Sequence, residues 1–572
     1  MCYYNGIMAL NNNLLARQKL AAALFPTIEE SPQMIEARYP RRQLKLGAMV
    51  TRIAPSPTGF MHLGGLYTAL ISERLAHQSG GVFFLRIEDT DSKRAVPGAL
   101  ELIINSLAHF GLKLDEGETE LGREIGDYGP YQQSKRASIY QAFVKQLIVS
   151  GQAYPAFETV EELEELTKKQ EASKVAPGYY GPWAYWRDKT PAEALAMLDQ
   201  GFKPVIRWRS NGDPERQVII DDIFKGRLAL RESNQDIVLL KSNGLPTYHL
   251  AHIIDDHLMG TTHVIRGDEW LSSLPLHLQL FATLGWQPPV YGHLAPIQKL
   301  VGQSRRKLSK RHDPEASVTF YDEAGYPPEA VISYLLNLAN PSFEAWFMSH
   351  PDKRWEDYLL IIAELKKGAG ALLDLQKLDS YSKEIISRLS LNELLEQALT
   401  WAKKYDPPLA QAMSRDLAYT TEVLNIDRSG ERRRKDIAKW SELRAVIGYF
   451  YDDIWAATPL DLASQLGDYP LSEIKTIAQA VVANYDPQDS QAEWLAKLRQ
   501  LSQSLGYAPD TASYRQDPQR YRGSFSDVAK IIRVLLVGRN QSPDLYEVMR
   551  VMGGERVKQR LTNYSCGIDK II

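Results

Sequence analysis

The chain has 572 residues, too many for one hydrophobic core, so roughly two to four domains are expected. With 44% hydrophobic and 24% charged residues and no long apolar run, it fits a globular fold and gives no support to a membrane span. A formal charge of −3 offers no global attraction to a polyanion, so nucleic-acid binding has to come from local basic patches.

Met1 to Leu14 lack the basic start and apolar stretch of a signal peptide, and the cysteines are Cys2 and Cys566, so a reducing, cytoplasmic setting is expected. Residues 1–47 read as an amphipathic helix around Leu14 to Phe25, then a connector punctuated by Pro26, Pro32 and Pro40. Met49 opens the first strongly patterned strand and could itself serve as a start, which would leave this extension as an accessory arm or a translated leader.

A strand is predicted over Met49 to Ala54, then a Pro- and Gly-rich loop, then a helix whose Leu66, Leu70, Ile71 and Leu75 share one face. Gly80 and Gly81 stop that helix, and the apolar run Val82 to Ile87 fits a parallel strand covered on both faces. The pattern makes a βαβ unit. Further strands are predicted at Asp236 to Lys241 and His263 to Arg266, so the sheet resumes after an inserted domain at about 113–232. Beyond Asn340 and Pro341 helical patterns dominate, among them Ile385 to Leu399 and Val528 to Val537.

The string Pro55-Ser-Pro-Thr-Gly59-Phe-Met-His62-Leu-Gly64-Gly65 lies between a strand and a helix start. A helix start gathers unpaired N–H groups, the glycines admit a flat ring, and His62 can donate to phosphate oxygens, which together suit ATP. A second string, Arg305-Arg-Lys307-Leu-Ser309-Lys310-Arg311, offers cations that can close over a triphosphate and stabilise charge on leaving pyrophosphate. Alone, the first would pass for a turn and the second for a solvated face. Their pairing in this order makes them specific.

These strings resemble the two signature sequences of class I aminoacyl-tRNA synthetases. With Arg86-Ile-Glu88-Asp-Thr-Asp91, Gly129-Pro-Tyr-Gln-Gln-Ser134, Pro246-Thr-Tyr248-His249-Leu250, Asp255-Asp256 and Arg266-Gly-Asp-Glu269-Trp270, nearly everything after residue 47 is similar to the bacterial type of glutamyl-tRNA synthetase. The helical end adds Arg533 to Gly538, Ser542-Pro543 and Met552-Gly553-Gly554.

The resemblance implies an α/β, Rossmann-like parallel-sheet catalytic domain with an inserted acceptor-binding domain and an all-helical C-terminal anticodon-binding domain. The expected boundaries are 1–47 for the extension, 48–112 and 233–345 for the catalytic halves, 113–232 for the insert and 346–572 for the helical domain. It implies ATP at Gly59, His62, Gly64, Gly65, Lys307, Ser309 and Lys310, with His62, Lys307 and Lys310 catalytic. It implies L-glutamate at Arg52, Ser56, Glu88, Tyr248 and Arg266. Independently, Arg52, Glu88 and Arg266 fall near the C-terminal ends of predicted parallel strands, where open α/β sheets bind ligands. A zwitterion with an extra carboxylate calls for two cations and an anion.

The implied reaction is attack of the glutamate α-carboxylate on ATP, then transfer from glutamyl-adenylate to the 3′ adenosine of tRNA(Glu), with Mg²⁺ travelling on ATP. The aromatic and basic residues Tyr179, Tyr180, Trp183, Tyr185, Trp186, Arg187 and Arg207 to Arg209 could stack unpaired bases or fill a core. Arg428 with Arg432 to Lys435 is the clearest basic cluster of the helical region, a phosphate contact or a solvated face. Lacking cysteine near Ala153 to Thr159, the insert is expected to hold no zinc. A monomer is expected. The alternatives are a synthetase that also charges tRNA(Gln) with glutamate, and a small-molecule nucleotidyltransferase, which would not need the helical domain.

Overall fold

A computed structural model describes residues 2–91, 93–309, 311–365, 370–428, 433–459 and 461–567. The chain forms two compact units, Met1–Phe320 with Ile332–Asp374, and Tyr321–Val331 with Leu375–Ile572.

In the first unit the order begins α1 (Cys2–Leu24), α2 (Pro32–Arg38), β1 (Val50–Ile53), α3 (Leu63–Gln78), β2 (Val82–Leu85), α4 (Ala99–His109), β3 (Glu116–Glu120) and β4 (Arg123–Ile125). It continues through α5 (Ala137–Ser150), β5 (Ala153–Ala156), α6 (Val160–Ala172), α7 (Pro191–Asp199), β6 (Val205–Trp208), the hairpin β7 (Gln217–Asp222) and β8 (Gly226–Arg231), and β9 (Val238–Leu240). Then come α8 (Tyr248–Leu258), β10 (His263–Gly267), α9 (Leu274–Leu284), β11 (Val290–Leu294) and the hairpin β12 (Gln298–Val301) and β13 (Ser304–Lys307).

β1, β2 and β3 run parallel, as do β10 and β11. The Thr262 N–H donates to the Val50 carbonyl at 3.0 Å, which sets β10 beside β1. β1 therefore has its successor β2 on one side and the later β10 on the other, a switch point whose strand ends open a crevice. β9 departs from expectation: it does not resume the parallel sheet but pairs antiparallel with β6 in the sheet β5-β6-β9. β3, at the start of the expected insert, instead extends the parallel sheet.

The extension is built into this unit. Leu20, Ala21, Phe25, Ile28 and Ile35 are buried in one cluster with Tyr140, Phe143 and Leu147 of α5. Arg42 forms a bidentate pair with Glu116 at 2.6 and 2.8 Å, donates to the Met259 carbonyl at 2.8 Å and lies over the Tyr128 ring. The expected connector contains α2, capped by the Ser31 hydroxyl, because Pro32 sits at the helix start, where a missing N–H costs nothing. The unit also runs past the expected boundary at 345: Arg74 of α3 donates to the Glu356 carbonyl and Gln78 to that of Leu360, which ties residues 356–360 to it.

The second unit is helical, around a core that includes Leu394, Met413, Phe450, Ile477, Ile531, Leu535 and Val548. The pattern read as one helix over Ile385 to Leu399 is two, Leu375–Arg388 and Leu391–Tyr405, because Ser390 and Glu393 form a capping box that starts the second. No helix among the described residues is long and apolar enough to cross a membrane.

Candidate active site

A cavity of about 530 Å³ opens at the C-terminal ends of β1 and β10. Arg52, Ser56, His62, Gly64, Gly65, Glu88, Tyr248, Arg266 and Lys307 line it, so nine of the expected site residues converge there. Gly59 and Ser309 do not line it. Gly59 serves the turn, at φ +128, where a side chain would be strained. The Ser309 N–H donates to Asp313 Oδ2 at 2.9 Å, which fixes the base of the second signature. Lys310 lies outside the described residues.

His62 caps α3, its Nδ1 accepting from the Gly64 N–H at 2.9 Å. A neutral ring with an accepting Nδ1 carries its proton on Nε2, so the cap presets a donor tautomer. The Gly65 N–H is bonded to the His62 carbonyl at 2.8 Å. These two N–H groups are thus not the unpaired anion site expected of the helix start, and the glycines serve by lacking side chains. Arg306 is equally committed, held by Asp313 at 2.6 and 2.7 Å, which leaves Lys307 as the described cation of the second signature that lines the cavity.

On the other side, Arg52 reaches both oxygens of Asp256, at 3.2 and 3.4 Å, and Asp256 also takes Arg86 at 2.6 Å and His252 Nδ1 at 2.7 Å. Burial alone would raise the Asp256 pKa, but Arg52 and Arg86 hold it well below the usual carboxylate range. Glu88 accepts from Arg86 at 3.2 Å, and burial pushes its pKa up to about 7 against the pull of Arg86 and Arg52. Tyr248 has its hydroxyl 3.5 Å from Arg266 Nη1, with its ring 4.4 Å from Trp270. His252 is wholly buried, stacked on Tyr248 at 5.3 Å, and burial lowers its pKa to about 3, so it is a neutral floor to the site and not part of its wall.

Asp256, Glu269 and Trp270, which lie within the sequence motifs, are site residues that the motifs alone do not single out. Glu269 and Trp270 line the cavity beside Arg94, and Glu269 lies 3.4 Å from Lys307 Nζ. The adjacent acidic pair Asp255-Asp256 was the available signal, since two buried carboxylates require cations. Among the described residues no group of three or more His, Cys, Asp or Glu side chains converges to hold a metal ion.

Elsewhere the expected contacts divide. Tyr179, Arg207 and Trp208 are buried, with Arg207 over the Tyr179 ring at 3.8 Å, so they are core residues, while Tyr185 is 64% exposed. Arg428 donates to the carbonyls of Ile386, Ser387 and Leu389, and Arg433 to those of Ser387 and Arg388. They close a helix end and are not a free phosphate grip. Arg432 lies outside the described residues.

A parallel sheet with this cleft at its switch point, rimmed by a His-capped helix and a lysine-bearing hairpin, is the catalytic domain of a class I tRNA synthetase: the family described as tRNA synthetases class I (E and Q), catalytic domain, matches residues 48–348. An anticodon binding domain matches residues 472–564. A glutamate–tRNA ligase of Clostridium perfringens is 46% identical over 96% of this chain and 100% of its own, and one of Acetivibrio thermocellus is 45% identical over 95% and 99%. The chain belongs to the glutamate–tRNA ligase family. A solved glutamate tRNA ligase of Elizabethkingia meningosepticum, in complex with its amino acid, superposes with a TM-score of 0.68 at 26% identity, over 92% of this chain and 100% of that one.

Proposed function

We propose that this cavity is where the chain activates L-glutamate with ATP before transfer to tRNA(Glu). The observation that carries the reading is the layout of the buried charges of the cavity, the guanidinium groups of Arg52 and Arg266 and the carboxylate of Glu88, while the exposed Arg94 and Glu269 of its lining pair with Asp91 and Lys307. That is the complement of a zwitterion with a second carboxylate. Arg52 and Arg266 take the carboxylates, Glu88 the ammonium, and Ser56 and Tyr248 orient the substrate.

ATP enters along Gly64 and Gly65, with His62 Nε2–H, Lys307 and Lys310 on its phosphates. The glutamate α-carboxylate oxygen bonds to the α-phosphorus as the bond to pyrophosphate breaks, and the tRNA ribose hydroxyl then displaces AMP from the acyl carbon. The protein supplies position and charge, and no nucleophile. Mg²⁺ bound to ATP oxygens would neutralise phosphate charge. In the second unit, a cavity of about 770 Å³ is lined by Arg434, Arg533, Arg539, Ser542 and Pro543, and Arg434 Nη2 and Arg539 Nε are buried with no hydrogen-bond partner among the described residues. Such donors suit an unstacked base or a phosphate, and this is the anticodon contact we propose.

The test is ATP-dependent attachment of labelled glutamate and glutamine to purified glutamate and glutamine tRNAs, in wild-type and Lys310→Ala proteins. Wild-type should charge tRNA(Glu) with glutamate, and Lys310→Ala should lose about 100-fold or more in rate. Unchanged turnover in that variant would remove the second signature from the chemistry, and charging of tRNA(Gln) with glutamate would broaden the substrate.

A further inference from the structure

The two buried guanidinium groups of the cavity are held in opposite ways. Arg52 rests on the Asp256 carboxylate. Arg266, only 5% exposed, is held by histidines: its Nε donates to His293 Nε2 at 2.9 Å and its Nη1 faces His277 Nδ1 at 3.2 Å. Among the described residues its remaining contacts are the Tyr248 hydroxyl and the Trp270 carbonyl, both at 3.5 Å, and the Tyr291 ring at 4.9 Å. None of these is a carboxylate.

A guanidinium has donors only, so both facing ring nitrogens must present lone pairs. His277 therefore carries its proton on Nε2, where it meets His249 Nδ1 at 3.0 Å. His293 carries its proton on Nδ1 and donates it to Asp222 Oδ2 at 2.6 Å. Asp222 belongs to β7 of the insert, and its Oδ1 is itself held by the N–H groups of Phe224 and Lys225, at 2.9 and 2.8 Å. The Asp222 carboxylate is thus kept one imidazole away from Arg266. Burial foremost, then His252, Arg266 and His249, holds the His277 pKa well below its ordinary value against the pull of Asp256.

We propose that His277 and His293 are positioning residues that orient Arg266 through neutral acceptors and withhold a counter-ion, so that its full charge is left for a substrate carboxylate. This rests on the reading of the cavity as the glutamate site. A buried cation with a carboxylate to itself would gain little from a second anion; Arg52 shares Asp256 with Arg86 and keeps part of its charge for a ligand, whereas Arg266, oriented by neutral acceptors, keeps the whole of it.

The experiment compares His277→Asn with His277→Asp, side chains of one size that differ by one charge, and His293→Gln with His293→Glu, in aminoacylation assays with folding checked by thermal melting. The acidic variant of each pair should raise KM for glutamate by about tenfold or more over its amide, with kcat and KM for ATP differing by less than about threefold. Equal KM values within both pairs would overturn the proposal. Should an acidic variant fail to fold, ¹⁵N-histidine NMR of the wild-type protein decides: an unprotonated Nδ1 on His277 and an unprotonated Nε2 on His293 are required, and a proton on either overturns it. Arg266→Gln separates the layers, because an unchanged KM for glutamate there would sink the site reading itself.

Discussion

Arg52 and Arg266 share a cavity but not an electrostatic situation, and amino-acid choice follows from both. Replacing Arg52 with Gln leaves Asp256 paired to Arg86 at 2.6 Å and to His252 at 2.7 Å, so the loss falls on the substrate and not on an orphaned carboxylate. The expected cost in kcat/KM is about 2–5 kcal/mol for glutamate, the range for truncating one partner of a buried charge pair, and much less for glutamine. Kinetics with both amino acids check it; an equal loss for the two would put Arg52 on the shared α-carboxylate or on ATP. Glu88, raised to about 7 by burial, should set an acid limb. Protonation removes its attraction for ammonium, so kcat/KM for glutamate should fall about tenfold per pH unit below 7 and level off above it, the behaviour of one free-enzyme group. Glu88→Gln should abolish that limb, and a persistent limb would assign it to another group.

At the scale of elements, the turn from α3 into β2 is constrained twice over. A Cβ at Gly81 would lie 1.9 Å from the Met49 carbonyl oxygen, a backbone atom that cannot step aside without unseating β1 from β2. Gly80 has φ +71 with open space around it. Gly81→Ala should therefore cost about 3 kcal/mol or more by overpacking, and Gly80→Ala only about 1 kcal/mol of left-handed backbone strain, in denaturant unfolding. At the end of α3, His77 meets Asp115 and Glu73, each at 2.9 Å, and those hydrogen bonds, Asp115 first, lift its pKa from 6.5 to about 9. A raised pKa in the folded state means that the protonated ring stabilises it. This contribution is full below pH 6.5 and lost as pH rises toward 9. Thermal melting across that window should decline in the wild-type protein, and His77→Gln should flatten the decline.

Over the whole molecule, residues 1–47 are the part whose reading changes most. Removing them uncovers the cluster that buries Leu20, Phe25, Ile28 and Ile35, at about 1.5–3 kcal/mol per large side chain, and breaks the Arg42–Glu116 pair. That sum rivals the entire stability of a typical domain, about 5–15 kcal/mol. A protein beginning at Met49 should be insoluble or lack cooperative melting, and a normal melt would show the extension to be dispensable. The sequence by itself determined the parallel βαβ frame, the helical second unit and the residues that carry charge into the cavity. Each of these is written locally, in the period of apolar residues or in side-chain types at strand ends. Only the tertiary structure decided the pairings: β9 with β6, Asp256 with Arg52, and Asp222 with His293 across 71 positions. A local pattern specifies which face of an element is buried and which groups it bears, but not which distant element covers it. Whether a buried cation keeps its charge for a ligand depends on that neighbour.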